Sequence, residues 1–187
     1  RHFAHVAVVG NIGIPYTSVA EETTDDTVVV AEISSFQLET IDTFAPKAAA
    51  ILNITPDHLN RHHTMANYIA AKESIVKNQT RDDLCVLNYN DEVLRAFGKT
   101  LEQKVVLFSS TETLDAGLYL QENEILWARN GKTEHIISVE ELNILGAHNY
   151  ENVMAAVALC DGMGVPMETI REGLRDFHAV EHRIEFV

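Results

Sequence analysis

Four short runs of consecutive apolar, largely β-branched or small residues punctuate the first half of the chain: HVAVVG (5–10), TVVVAEI (27–33), AAAILNI (48–54) and LCVLN (84–88). Their apolarity is continuous instead of alternating, the pattern of strands covered on both faces in the parallel sheets of α/β folds. Helical periodicities lie between and after them. MANYIAAKESIVKNQ (65–79) carries Tyr68, Ile69, Ala71, Ile75 and Val76 on one stripe, with Lys72 set among them. NYENVMAAVALCDGMG (149–164) and PMETIREGLRDF (166–177) predict two further helices, the second with Pro166 suited to its first turn. From 116 to 139 the pattern changes to alternation broken by the turn signals ENE and NGK, which predicts a small antiparallel hairpin or meander beside the main sheet. The expected architecture is α/β: an open, mostly parallel sheet flanked by helices, with a small antiparallel β appendage. No repeat, Pro-rich linker or low-complexity tract marks a domain boundary.

A hydrophobic share of 46% over 187 residues is enough for one sizeable globular domain. The net charge of -14, from 28 acidic and 14 basic residues, argues against nucleic acid or an anionic membrane as the main partner. It leaves room for a compact polyphosphate held by a few placed groups and a cation. The two cysteines, Cys85 and Cys160, sit in apolar surroundings without CxxC spacing, so neither a disulfide framework nor a zinc knuckle is expected, and a reducing cytoplasm is. No apolar run reaches the roughly 18 residues of a membrane span, and no charged-then-apolar amino end suggests a signal peptide, so a soluble protein is expected. The sequence begins at Arg1 without Met and enters a strand-like run almost at once, as expected of a piece of something longer.

Open α/β sheets bind ligands at the carboxyl ends of their strands. Asn11, Glu32 with Ser34, and Asp57 with His58 follow three such ends and are expected to meet on one edge. GNIG (10–13) is either a tight turn that brings backbone N–H groups to a phosphate or a plain strand-to-helix turn; it lacks the GxGxxG fingerprint of dinucleotide-binding dehydrogenases. Glu32 is either a surface carboxylate or a ligand for a hard cation. His58 and His62, four residues apart, would share one helix face as zinc ligands do, although the Glu of H-E-x-x-H is missing. A zinc-dependent hydrolase is the alternative that follows from that pair. Lys72 either snorkels to solvent or is an amine made reactive by its surroundings. Carbon dioxide would convert such an amine to a carbamate, an oxygen-rich anion able to hold Mg²⁺. Asn149 is expected at a helix N-cap, and Asn152, three residues on, shares its face, so that two amides could read a nucleobase edge. A non-catalytic nucleotide-binding or interaction domain fits the same residues.

Taken together, GNIGIP, AEISSFQLE, LNITPDHLNRH, AAK, GAHNYENVMAA and the terminal HRIE resemble the Mur ligase family, the ATP-dependent amide-forming enzymes of peptidoglycan precursor synthesis. The segments run from Gly10 to Glu185, nearly the whole chain. The text around Glu32 is similar to that of members adding D-glutamate to UDP-N-acetylmuramoyl-L-alanine through an acyl phosphate. The resemblance implies a P-loop NTPase-like central domain, with ATP as co-substrate and Mg²⁺ as cofactor. It implies Glu32, His58 and a carbamylated Lys72 as metal-binding residues, His58 and Lys72 serving catalysis. Asn11, Ser34 and His58 would bind the UDP-sugar substrate; Asn149 and Asn152 the adenine; and Arg183 the nucleotide phosphates. Family members carry a glycine-rich phosphate loop before GNIG, and no G-x-x-x-x-G-K-[ST] occurs in this sequence. Residues 1–187 are accordingly expected to be most of a central domain without its amino-terminal phosphate-loop portion, and to show no turnover alone. An exposed edge or apolar face is expected where that portion would pack, and with it a tendency to self-associate.

Overall fold

The computed structural model describes residues 2–178. Chain proximity divides them into two units, one formed by residues up to Phe44 with Asp57–Ile75, the other by Ala45–Pro56 with residues from Val76 onward.

The first unit holds two parallel strands, β1 (His5–Gly10) and β2 (Thr27–Glu32), paired in register from His5 opposite Thr27 to Gly10 opposite Glu32. Three short helices complete it: α1 (Ser35–Leu38), α2 (Leu59–His62) and α3 (Met65–Glu73), with α1 and α2 both packed on α3. Continuous apolarity predicts cover on both faces of these strands, yet on one face Val6, Val8 and Val30 are 50%, 69% and 53% exposed. On the opposite face Val9 is buried. Valine is placed for a covered sheet there, yet of the valines on the first face only Val28 is even half-buried among the described residues.

The second unit is built on six strands in sequential order: β3 (Ala48–Ile51), β4 (Leu84–Asn88), β5 (Lys104–Ser109), β6 (Gly117–Gln121), β7 (Glu124–Arg129) and β8 (Lys132–Ser138). The pairs from β3 to β6 are parallel, and those from β6 to β8 antiparallel. The meander is thus hydrogen-bonded to the parallel part through β5 and β6. β3 is shorter than its apolar run, and the strands hydrogen-bond as two sheets where a single one was expected.

Alternation of side chains across the pleat explains the cover of this sheet. Leu84, Val86, Phe108, Leu118 and Ile125 point to one face, where α5 (Ala147–Gly162) lays Val153, Met154 and Val157 on them; Ile170 of α6 (Met167–Asp176) joins the same core. On the other face α4 (Glu92–Gly98) comes so close that a side chain at Gly98 would stand 3.1 Å from Leu87. Asp83, almost fully buried just before β4, accepts from the Thr80 N–H (2.7 Å), the Thr80 hydroxyl (2.9 Å) and Lys47 Nζ (3.1 Å). Those donors, the Thr80 N–H first, hold its carboxyl below the usual aspartate range.

Candidate functional site

Asn11, Glu32, Ser34, His58 and Lys72 all fall in the first unit. Register brings the first two together: Gly10 is opposite Glu32, and the Asn11 N–H donates to the Glu32 carbonyl at 2.8 Å. The GNIG turn closes through the Gly10 N–H on the Ile14 carbonyl at 2.9 Å, with Gly13 at φ 83°. Glu32 is exposed at the strand end. Two residues on, Ser34 caps α1 in a reciprocal box: its Oγ accepts from the Gln37 N–H (3.3 Å), and its own N–H donates to Gln37 Oε1 (2.8 Å).

His58 is the N-cap of α2 in the left-handed region, φ 51° and ψ 27°. Its N–H donates to Asp57 Oδ1 (2.7 Å) and its Nε2 lies 3.3 Å from Asp57 Oδ2. α2 ends as abruptly as it begins. His63 has φ 67° and ψ -38°, and the Thr64 N–H donates to the His62 carbonyl at 2.8 Å, a γ-turn of the rarer, strained hand. The ring of His58 meets Phe36 of α1 at 4.9 Å, Phe36 stacks on His62 at 5.4 Å, and His62 meets Tyr68 of α3 at 5.3 Å. Lys72 Nζ stands 5.3 Å from the Tyr68 ring centroid. A continuous file of rings therefore joins His58 to the partly buried Lys72. In the next residue of α3, burial raises the Glu73 carboxyl above its ordinary range.

The pairing of His58 with His62 as zinc ligands does not hold. His62 is 3% exposed, its Nε2 lies 3.0 Å from Ser35 Oγ and its Nδ1 3.1 Å from Glu39 Oε1, so both ring nitrogens are occupied. Ser35 and Glu39 are the residues that spacing arguments miss; the Ser34-x-x-Gln37 capping box, which starts α1, is the signal that would have placed Ser35 in its first turn, with Glu39 as its C-cap. Among the described residues no group of three or more His, Cys, Asp or Glu is placed to hold a metal ion. A lysine enters such a set only as a carbamate. An exposed carboxylate and a carbamate would offer the oxygen donors that Mg²⁺ takes, so the donor chemistry of Glu32 and Lys72 fits that ion.

The second unit carries the adenine candidates. Asn149 is the third residue of α5, not its N-cap; Gly146 takes that place at φ 95°, and Asn149 Nδ2 donates to the Leu145 carbonyl at 2.7 Å. Asn152 is exposed on the same face. Beside them, the carboxyl ends of β4 and β5 tie to the start of α5: Asn90 Nδ2 and Ser110 Oγ both donate to Glu151 Oε1 (3.1 and 2.6 Å), and Ser109 Oγ donates to Asn90 Oδ1 (2.6 Å). Arg183 lies outside the described residues. No helix among the described residues is long and apolar enough to cross a membrane.

A mostly parallel sheet between helices, with polar side chains gathered where its strands end, defines an α/β domain of the class that offers its strand ends to ligands. More particularly, residues 4–160 match the model of the Mur ligase middle domain, and the chain belongs to that family. It is 54% identical over 186 residues to the UDP-N-acetylmuramoylalanine--D-glutamate ligase of Lachnoclostridium phytofermentans, and 47% identical over 180 residues to that of Clostridioides difficile. It spans 41% and 40% of these relatives' lengths. Among solved structures, a pseudomurein peptide ligase type C from Methanothermus fervidus shares its fold with a TM-score of 0.63 at 15% identity, over 99% of this chain and 52% of that one. MurF from Acinetobacter baumannii does so with a TM-score of 0.61 at 16% identity, over 97% and 48%.

Proposed function

We infer that this chain supplies the central part of an ATP-dependent ligase that joins D-glutamate to UDP-N-acetylmuramoyl-L-alanine in the cytoplasm, by way of an acyl phosphate. The observation that carries the reading is 54% identity across the whole chain to a ligase named for that reaction. The gathering of Asn11, Glu32, Ser34, His58 and Lys72 in one unit supports it.

The chemistry explains why such residues are needed. Phosphorylating a carboxylate with ATP brings two anions together, so fixed donors and positive charge must oppose their repulsion. Asn11, at the GNIG turn, and Ser34, at the start of α1, would hold the reacting end of the UDP-sugar. His58 would lie beside the same end. Glu32, His58 and a carbamylated Lys72 would hold Mg²⁺, which when bound screens the charge of the transferring phosphoryl group. Asn149 and Asn152 would read the adenine edge, and Arg183 would contact the nucleotide phosphates.

Phosphate release from ATP that requires both UDP-N-acetylmuramoyl-L-alanine and D-glutamate is the expected result for a complete gene product carrying these residues, and a Glu32→Ala change should lower it by about 100-fold or more. The 187-residue chain by itself is expected to release none. A complete product indifferent to D-glutamate would sink the ligase reading. Carbamylation has its own readout: with ¹³C-bicarbonate, a carbamate carbon resonance is expected that Lys72→Arg removes, and an unchanged spectrum would eliminate that role for Lys72.

A further inference from the structure

Spacing alone does not account for the polar array between α1 and α2, in which Ser35 and His62 are buried and Glu39 reaches the surface. In space the order is Glu39, His62, Ser35: Nδ1 of His62 lies 3.1 Å from Glu39 Oε1 and Nε2 3.0 Å from Ser35 Oγ. Glu39 is held in turn by Arg61, whose Nη2 and Nε donate to Oε2 at 2.8 and 3.3 Å, so it stays an acceptor. Nδ1 therefore carries a proton, and in the neutral ring Nε2 accepts from the Ser35 hydroxyl.

The sequence acid, imidazole, hydroxyl is the order of a hydrolytic triad, but burial decides against that role. Ser35 is 5% exposed and His62 3%, so a substrate carbonyl has no approach to the hydroxyl. A buried imidazole bonded at both nitrogens instead fixes its own position and that of everything joined to it. His62 is joined to much. Its carbonyl accepts from the Thr64 N–H and from Asn67 Nδ2, both at 2.8 Å, closing the strained turn at His63. Its ring stacks on Phe36, against which His58 and the Arg61 guanidinium also rest, at 4.9 and 4.8 Å. Positive φ at both ends of one four-residue helix is unfavourable and persists only where surrounding bonds over-determine it.

We propose that the Glu39–His62–Ser35 array is a positioning device: it holds α2 on α1 so that His58 keeps its left-handed conformation beside Phe36. His62 is then a positioning residue for the site and not a ligand or a catalytic group. The consequence for catalysis rests on the ligase reading above; the consequence for His58 does not.

The test has two arms. In the 187-residue chain labelled at its nine histidines, Ser35→Ala and Glu39→Gln, which leave the ring of His62 in place, are expected to shift the ¹⁵N–¹H resonances of His58 together with those of His62. Histidine spectra in which only His62 moves would overturn the proposal, whatever reaction the protein performs. In the complete gene product, His62→Ala is expected to lower kcat by about 100-fold, the scale of a 1 Å misplacement, while KM for ATP changes less than about threefold. His62→Gln, which keeps one of the two bonds, should recover at least about tenfold of that loss. A kcat unmoved by His62→Ala, or a loss that follows thermal stability alone and ignores glutamine, would also overturn it. Absence of ligase turnover in the unsubstituted product would refute the function and leave the resonance arm to decide the positioning.

Discussion

Replacing Gly10 with alanine is expected to destabilise the first unit by about 2–4 kcal/mol and, on the ligase reading, to cost the complete gene product about 100-fold in turnover. The cause is a contact with backbone. A Cβ at Gly10 would stand 2.3 Å from the Glu32 carbonyl oxygen, 2.6 Å from its nitrogen and 2.9 Å from its Cα, at a φ of 149° that side chains seldom adopt. No rotamer change relieves such an overlap, so the end of β2 must move and carry Glu32 with it, breaking the 2.8 Å bond from the Asn11 N–H. Gly13→Ala is the matched control. Its φ of 83° carries a conformational cost, but no atom lies within 4 Å of the added carbon, so a loss of about 1 kcal/mol with turnover largely kept is expected. Equal losses in the two variants, by thermal unfolding and by phosphate release, would show that the close approach of the strands has no functional weight.

That pair of glycines marks how far the sequence could be read. A strand-end turn at GNIG was legible; that one glycine is required by contact and the other by dihedral was not, because the register of β1 on β2 is a tertiary fact. β1, β2 and β4 lie where their apolar runs stand, and α6 where its periodicity stands. β5 was not legible as a strand, since a four-residue run such as Val105–Phe108 cannot be told from a buried helical turn by pattern alone. α1 is too short to show a period. α3 stops at Glu73, short of its apolar stripe, where Ser74 Oγ turns back to the Ala71 carbonyl at 2.7 Å. The histidine pair failed for a related reason: spacing of four puts two side chains on one face only inside a regular helix. His58 stands outside α2 as its cap, with positive φ, and the periodicity argument does not reach it.

Above pH 9 the protein is expected to lose stability through a single buried thiol. Cys85 is fully buried in β4, the strand that delivers Asn88 and Asn90 to the polar end of the sheet, and burial pushes its thiol up to about 12 from an ordinary 9. The folded state then keeps the proton while the unfolded chain releases it, so the stabilisation is complete below pH 9 and fades as pH rises toward 12. Three units correspond to about 4 kcal/mol at the end of that window, and to roughly 3 kcal/mol at pH 11. Burial also raises the Cys160 thiol, which both proteins retain, and this makes the comparison with Cys85→Ala the informative one. At pH 7 the variant should be less stable by about 1–2 kcal/mol, because alanine leaves the sulfur's space unfilled. Its alkaline limb should be flatter, so that the two denaturation curves cross before pH 11 and the variant becomes the more stable protein. Parallel curves from pH 7 to pH 11 would mean that solvent reaches Cys85 in the folded state. A folded-state thiol that alkylates as fast as one in urea would say the same of β4, and the walls of the polar site in the second unit would then be far looser than their hydrogen bonds imply.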